Sequence, residues 1–140
     1  MERMVSLPDE ISRALAELKE GLIALYGKRL KGIYLFGSYS RGDFTEGSDV
    51  DIAVLLSGEV RVGEEIDRIG IIASSISLRY GITLSVLPIP ETWWVSRKSP
   101  WLENLRREGI PLPITVPSAD SQWELAVLAE PKTIPAEGWL

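Results

Sequence analysis

The sequence predicts an α/β (α+β) fold, a small mixed β-sheet with helices packed mainly on one face. Three observations predict it. Three β-rich runs, Leu30–Phe36, Val50–Leu56 and Ile82–Leu87, alternate with stretches whose apolar residues recur at helical spacing. The second run is nearly all apolar after Asp51, and the first two both read as buried strands. The length of 140 residues, 45% hydrophobic and 25% charged, suits one domain of ordinary globular composition.

The elements follow in order. Ser6-Leu-Pro-Asp9 resembles a capping box, and Ile11, Leu15, Leu18, Leu22 and Leu25 then repeat with a period near 3.6 until Gly27, predicting a first amphipathic helix. Leu30–Phe36 is the first strand, stopping at Gly37-Ser38, and Val50–Leu56 is the second. Val62, Ile66, Ile69, Ala73 and Ile76 mark a helix of about four turns closed by Gly81. A third strand over Ile82–Leu87 is expected to end at Pro88 and Pro90. Ser99-Pro100 then reads as an N-cap followed by proline at the first helical position, opening a last helix that Gly109 stops. Residues 1–109 are expected as the domain. Residues 110–140 are expected as a proline-rich tail with a short helix over Ser121–Glu130 and a strand at Ile114–Val116. That tail packs on the body or on another chain, and self-association through it is one option.

Composition removes whole classes of chemistry. With no Cys and no His the chain has neither disulfides, zinc fingers nor imidazole acid–base steps. Catalysis has to run on carboxylates, hydroxyls, Lys, Arg or a metal ion. The net charge of −5 repels nucleic acid as a partner. No run of about 18 apolar residues suggests a membrane span, and the N-terminus has no signal-peptide pattern, so a cytoplasmic protein is expected.

The chemistry concentrates in Gly37–Asp51, GSYSRGDFTEGSDVD. A glycine at the strand end lets the backbone approach a ligand closely, and the Ser38 hydroxyl can donate to an oxyanion. A helical turn beginning there would aim free N–H groups at the same point, with Arg41 adding a forked cation one turn on. Asp49 and Asp51 stand two residues apart where the second strand begins, which places their carboxylates about 6.6 Å apart along one face. Two hard oxygen ligands on one face suit Mg²⁺, as one ion or a pair. Taken singly, Gly-Ser reads as an ordinary turn and Asp-x-Asp as a solvated strand entry. Together and in this order they read as a phosphate cradle, a cation and metal carboxylates.

Gly37-Ser38, ten residues, then Asp49-Val50-Asp51 resembles the signature of the DNA polymerase beta-like nucleotidyltransferase superfamily. It is more closely similar to the minimal nucleotidyltransferases of bacteria and archaea, some of which are antitoxins to HEPN-domain toxins. The resemblance implies a nucleotidyltransferase fold in which Gly37, Ser38 and Arg41 bind the phosphates of ATP or another NTP. Asp49 and Asp51 hold Mg²⁺, and Ser38, Asp49 and Asp51 form the catalytic set. The implied reaction moves a nucleoside monophosphate, AMP from ATP in the antitoxin kind, onto a hydroxyl of a partner protein, a HEPN-type toxin. The sequence departs from the pattern at one point: the family's third carboxylate comes from the strand after the long helix, and here Ile82–Leu87 carries no acid. Ser85 stands at that position, and Glu91 lies beyond two prolines. The alternative function is a catalytically impaired module that binds nucleotide or masks a toxin by contact.

Two other clusters are read as structural. Trp93, Trp94 and Trp101, near Arg97, Lys98, Arg106 and Arg107, are expected to pack the last helix on the sheet, with one ring bordering the nucleotide pocket as the other option. Glu64, Glu65, Asp67 and Arg68 suit a helix N-terminus and carry no expected catalysis.

Overall fold

The computed structural model describes residues 4–96, 99–113 and 133–135, and side chains within 7–96 and 99–113. In chain order the elements are β1 (Met4–Ser6), α1 (Asp9–Tyr26), β2 (Leu30–Phe36), α2 (Ser38–Arg41), β3 (Val50–Leu56), α3 (Val62–Tyr80), β4 (Leu84–Pro90), α4 (Glu91–Ser96), α5 (Pro100–Glu108), β5 (Ile110–Pro111) and β6 (Thr133–Pro135). A four-stranded sheet runs β4-β3-β2-β5, with β3 and β4 parallel and the other pairs antiparallel, so the sheet is mixed as predicted. A separate antiparallel pair joins β1 to β6.

Alternation along the strands divides the core. Ile33 and Leu35 of β2, Val50, Ile52, Val54 and Leu56 of β3, and Leu84 of β4 turn to one face, where α1 and α3 cover them with Leu15, Leu18, Leu22, Ile69 and Ile76. The opposite face carries Tyr34, Ala53, Leu55 and Ile89, covered by Leu102 and Leu105 of α5 and by Trp93 and Trp94. The two long helices thus lie on one face, with Tyr39 of α2 buried beside them, and α4 and α5 lie on the other. Between α1 and α3 the buried Glu65 accepts a 2.7 Å hydrogen bond from Tyr26 and is held by Arg68 at 3.0 Å, a structural role as expected.

Three sequence expectations need correction. Ser6 does not cap α1: it pairs with Thr133 in β1, the N-cap is Pro8 without a side-chain bond, and Asp9 and Glu10 supply the acidic first turn instead. The third strand begins two residues later than expected and runs on through Pro88 and Pro90. Among the described residues it is an edge strand, and Val50 N–H donates to Thr83 C=O at 2.8 Å. In a parallel ladder alternate residues turn their groups to the same neighbour, so the odd-numbered residues of β4 face β3 and the two prolines face outward, where no ladder bond is lost. Finally, Ile110 and Pro111 pair with Leu35 and Tyr34, and Ile110 and Leu112 are buried, so the core continues past Gly109. The strand expected at 114–116 and the helix expected at 121–130 lie outside the described residues.

The last helix forms as its residues dictate. Ser99 Oγ accepts the Leu102 N–H at 3.1 Å, Pro100 fills the first turn, and Arg106 and Arg107 occupy the negative end. Leu102, 3% exposed, anchors it. We expect Leu102→Ala to cost about 2–4 kcal/mol in urea unfolding, because the cavity it leaves lies between helix and sheet. A loss under about 1 kcal/mol would show that α5 is not fixed this way.

Candidate active site

β2 leaves the sheet at Phe36, and the chain turns at once into α2 through Gly37, whose φ is +75°. The turn is closed by Gly37 C=O, which accepts the N–H groups of Ser40 and Arg41, both at 3.1 Å, and the Ser40 hydroxyl at 2.9 Å. Phe36 is paired across the sheet with Asp51, which brings the Asp51 carboxylate against the glycine. A Cβ on residue 37 would lie 2.3 Å from Asp51 Oδ2. Only glycine has both the positive φ and the missing methyl that this approach requires.

A cleft of about 540 Å³ opens here, between the strand ends and α5. It is lined by Gly37, Ser38 and Arg41 from the β2–α2 turn and by Ser48, Asp49 and Asp51 from the approach to β3. Trp101, Asn104, Leu105 and Glu108 of α5 close the other wall. All five sequence-predicted residues therefore meet in one cavity. Asp49 is exposed and immediately precedes β3, whereas Asp51 is half-buried within it. Burial first, and the negative charge of Asp49 second, push the Asp51 carboxyl above the usual carboxylate range, with Arg41 opposing them.

This like-charge pair is what a hard cation would relieve. Among the described residues no three His, Cys, Asp or Glu side chains gather into a cage. Two carboxylates on an open face match the way Mg²⁺ is held, by one or two protein carboxylates with substrate phosphates completing its shell. The raised position of Asp51 has a measurable consequence without any metal. A carboxyl raised by folding opposes the folded state while ionised, so that opposition is present above its folded pKa and fades as pH falls through it. Asp51→Asn is expected to raise the melting temperature of the bare protein by ~1–3 °C at pH 7, the gain shrinking toward pH 4. An unchanged or lower value at pH 7 would contradict the electrostatic picture.

β4 places Ser85 directly beside Asp51 in the parallel register. Ser85 is exposed and occupies the strand position next to the carboxylate pair, whereas Glu91 opens α4 at the far end of β4 and is not among the cleft residues. What sequence reading missed is that α5 forms a wall of the cleft, Glu108 above all. Glu108 Oε1 accepts from Arg41 Nη1 at 3.2 Å and from the Gly37 N–H at 3.4 Å, while Arg41 Nε also donates to Asp43 at 3.2 Å. The period that would have found it is Trp101, Asn104, Leu105, Glu108, one face of a helix. Of the tryptophans, Trp94 packs as expected, its ring tilted 30° against Tyr34 with centroids 4.7 Å apart and Arg106 over it, and Trp93 packs beside it. Trp101 differs: 46% exposed, it borders the cleft. Arg97 and Lys98 lie outside the described residues.

Residues 15–107 match the family model described as nucleotidyltransferase domain. The chain belongs to this family. It is accordingly a nucleotidyltransferase. Two proteins of Methanocaldococcus jannaschii, both provisionally named protein adenylyltransferases, are similar to it. One is 35% identical over 99 residues, covering 69% of this chain and 92% of the relative, and the other 37% identical over 101 residues, covering 72% and 97%. Among solved structures, a crystal structure described as a toxin–antitoxin with AMP-PNP superposes with a TM-score of 0.51. It is 24% identical and covers 84% of this chain and 81% of that one, a likeness of fold. No described helix is long and apolar enough to cross a membrane.

Proposed function

We propose that this nucleotidyltransferase moves AMP from ATP, with Mg²⁺, onto a hydroxyl of a partner protein, and that the partner is a HEPN-type toxin which the modification silences. The observation that carries the reading is the seat of Gly37 on Asp51, which brings the β2–α2 turn and the carboxylate pair together at the opening of one cleft of about 540 Å³. Gly37, Ser38 and Arg41 bind and orient the triphosphate, since the opening needs donors and a fixed cation and these three supply them. Asp49 and Asp51 would hold the Mg²⁺, which when bound neutralises the phosphates and stabilises the charge that develops as pyrophosphate leaves. The protein acceptor and the adenylyl group are supported by the names of the two archaeal relatives, and the toxin partner by the fold shared with a toxin–antitoxin complex. The cleft is open along α5 and large enough for a nucleotide with a protruding side chain of another protein.

The test is intact-mass analysis of a HEPN-domain toxin incubated with this protein, Mg²⁺ and each of the four NTPs in turn. One or more AMP increments from ATP alone is the expected result. No increment with any NTP, alongside nucleotide binding, would overturn the reading in favour of a binding module. That second reading draws its support from Ser85, which leaves β4 without an acid beside Asp51.

A further inference from the structure

In-line transfer to a hydroxyl forms a bond from the hydroxyl oxygen to the α-phosphorus and breaks the bond from that phosphorus to the bridging oxygen. Pyrophosphate departs with the electron pair. The hydroxyl proton must then go to a base, and Ser85, the residue beside Asp51 in β4, is no base at neutral pH. Asp49 and Asp51 are the carboxylates committed to the cation. Among the described residues of the cleft one further acid remains, Glu108.

Glu108 comes from the opposite wall. It is the last residue of α5, whose Leu102 and Leu105 are buried against the sheet, so its backbone is fixed while its carboxylate, 28% exposed, reaches across to Gly37 and Arg41. These are the donors assigned above to the triphosphate. A carboxylate and a phosphate brought to the same donors repel each other, so a bound triphosphate would loosen Glu108 from Arg41 and free its carboxylate within the cleft. We infer that Glu108 is the proton acceptor of the transfer, doing from α5 the work that an acid at position 85 would do from β4. It takes the proton of the acceptor hydroxyl and passes it to water. This rests on the nucleotidyl-transfer reading and names a residue which that reading leaves without a role.

The experiment compares wild type, Glu108→Gln, and Glu108→Gln combined with Ser85→Asp. Single-turnover AMP transfer from ATP to a HEPN-domain toxin is measured with Mg²⁺, and ATP affinity is measured separately without the toxin. Glutamine keeps the shape and an acceptor oxygen for Gly37 and Arg41, and thermal melting confirms folding. Glu108→Gln should slow transfer by about 10² or more while ATP affinity falls by no more than about threefold, any gain reflecting the repulsion removed, and adding Ser85→Asp should restore at least about tenfold of the rate. Transfer by Glu108→Gln within about threefold of wild type, a rate loss matched by an equal loss of ATP affinity, or no rescue by the aspartate would overturn the inference. An inactive wild type would overturn the nucleotidyl-transfer reading itself, so the two failures are told apart.

Discussion

Replacing Asp49 and Asp51 together by asparagine is expected to abolish nucleotide transfer, a loss of ~10³-fold or more in single-turnover rate. Asparagine preserves shape but puts an amide nitrogen in place of one oxygen at each position and removes both formal charges, which the open face at the start of β3 needs to hold a hard cation against a triphosphate. The fold survives, because Asp49 is exposed and the change at Asp51 removes a charge that folding disfavours. The measurement is the mass of the acceptor protein after incubation with ATP and Mg²⁺. It also separates catalysis from contact: a double variant that still neutralised the toxin in cells, with no mass added to it, would mean that masking suffices. Retained transfer in the variant would remove these carboxylates from the chemistry altogether.

The second large effect is expected from the smallest substitution. Gly37→Ala adds one methyl group, yet it has to fit 2.3 Å from Asp51 Oδ2 at a residue whose φ is +75°. Either the turn rotates or the carboxylate retreats. Strain at this backbone position costs about 1–2 kcal/mol of stability. A displacement of about 1 Å in the carboxylate costs on the order of 10²-fold in rate, so activity should fall by 10² or more in a protein that still folds. A thermal melt beside the transfer assay distinguishes the two. Near-normal activity would show that the close approach of glycine and aspartate is incidental.

Much of this arrangement was legible because its signals are local. The helix periods over Ile11–Leu25 and Val62–Ile76, the apolar runs at Leu30–Phe36 and Val50–Leu56, and the Ser99-Pro100 cap each depend on neighbours in sequence, and each element formed where they indicate. The glycine-serine turn and the two aspartates were legible for the same reason: their spacing is fixed by two strands paired side by side. What sequence could not give depends on the third dimension. Pro88 and Pro90 look like stops until the strand is known to lie at an edge, and Glu108 looks like a helix-end acid until α5 is known to fold over the cleft. Trp101 and Trp94 belong to neighbouring short helices and differ only in which way their rings face after docking.

The outward-facing prolines of β4 bear on how this protein meets others. A sheet recruits a foreign strand through a row of unpaired N–H and C=O groups along its rim, and at Pro88 and Pro90 that row has no hydrogens to offer. At the other rim β5 is two residues long, too short to template a partner strand. Among the described residues, both rims of the four-stranded sheet are thereby poor templates for lateral growth, into aggregates or into strand-exchanged complexes.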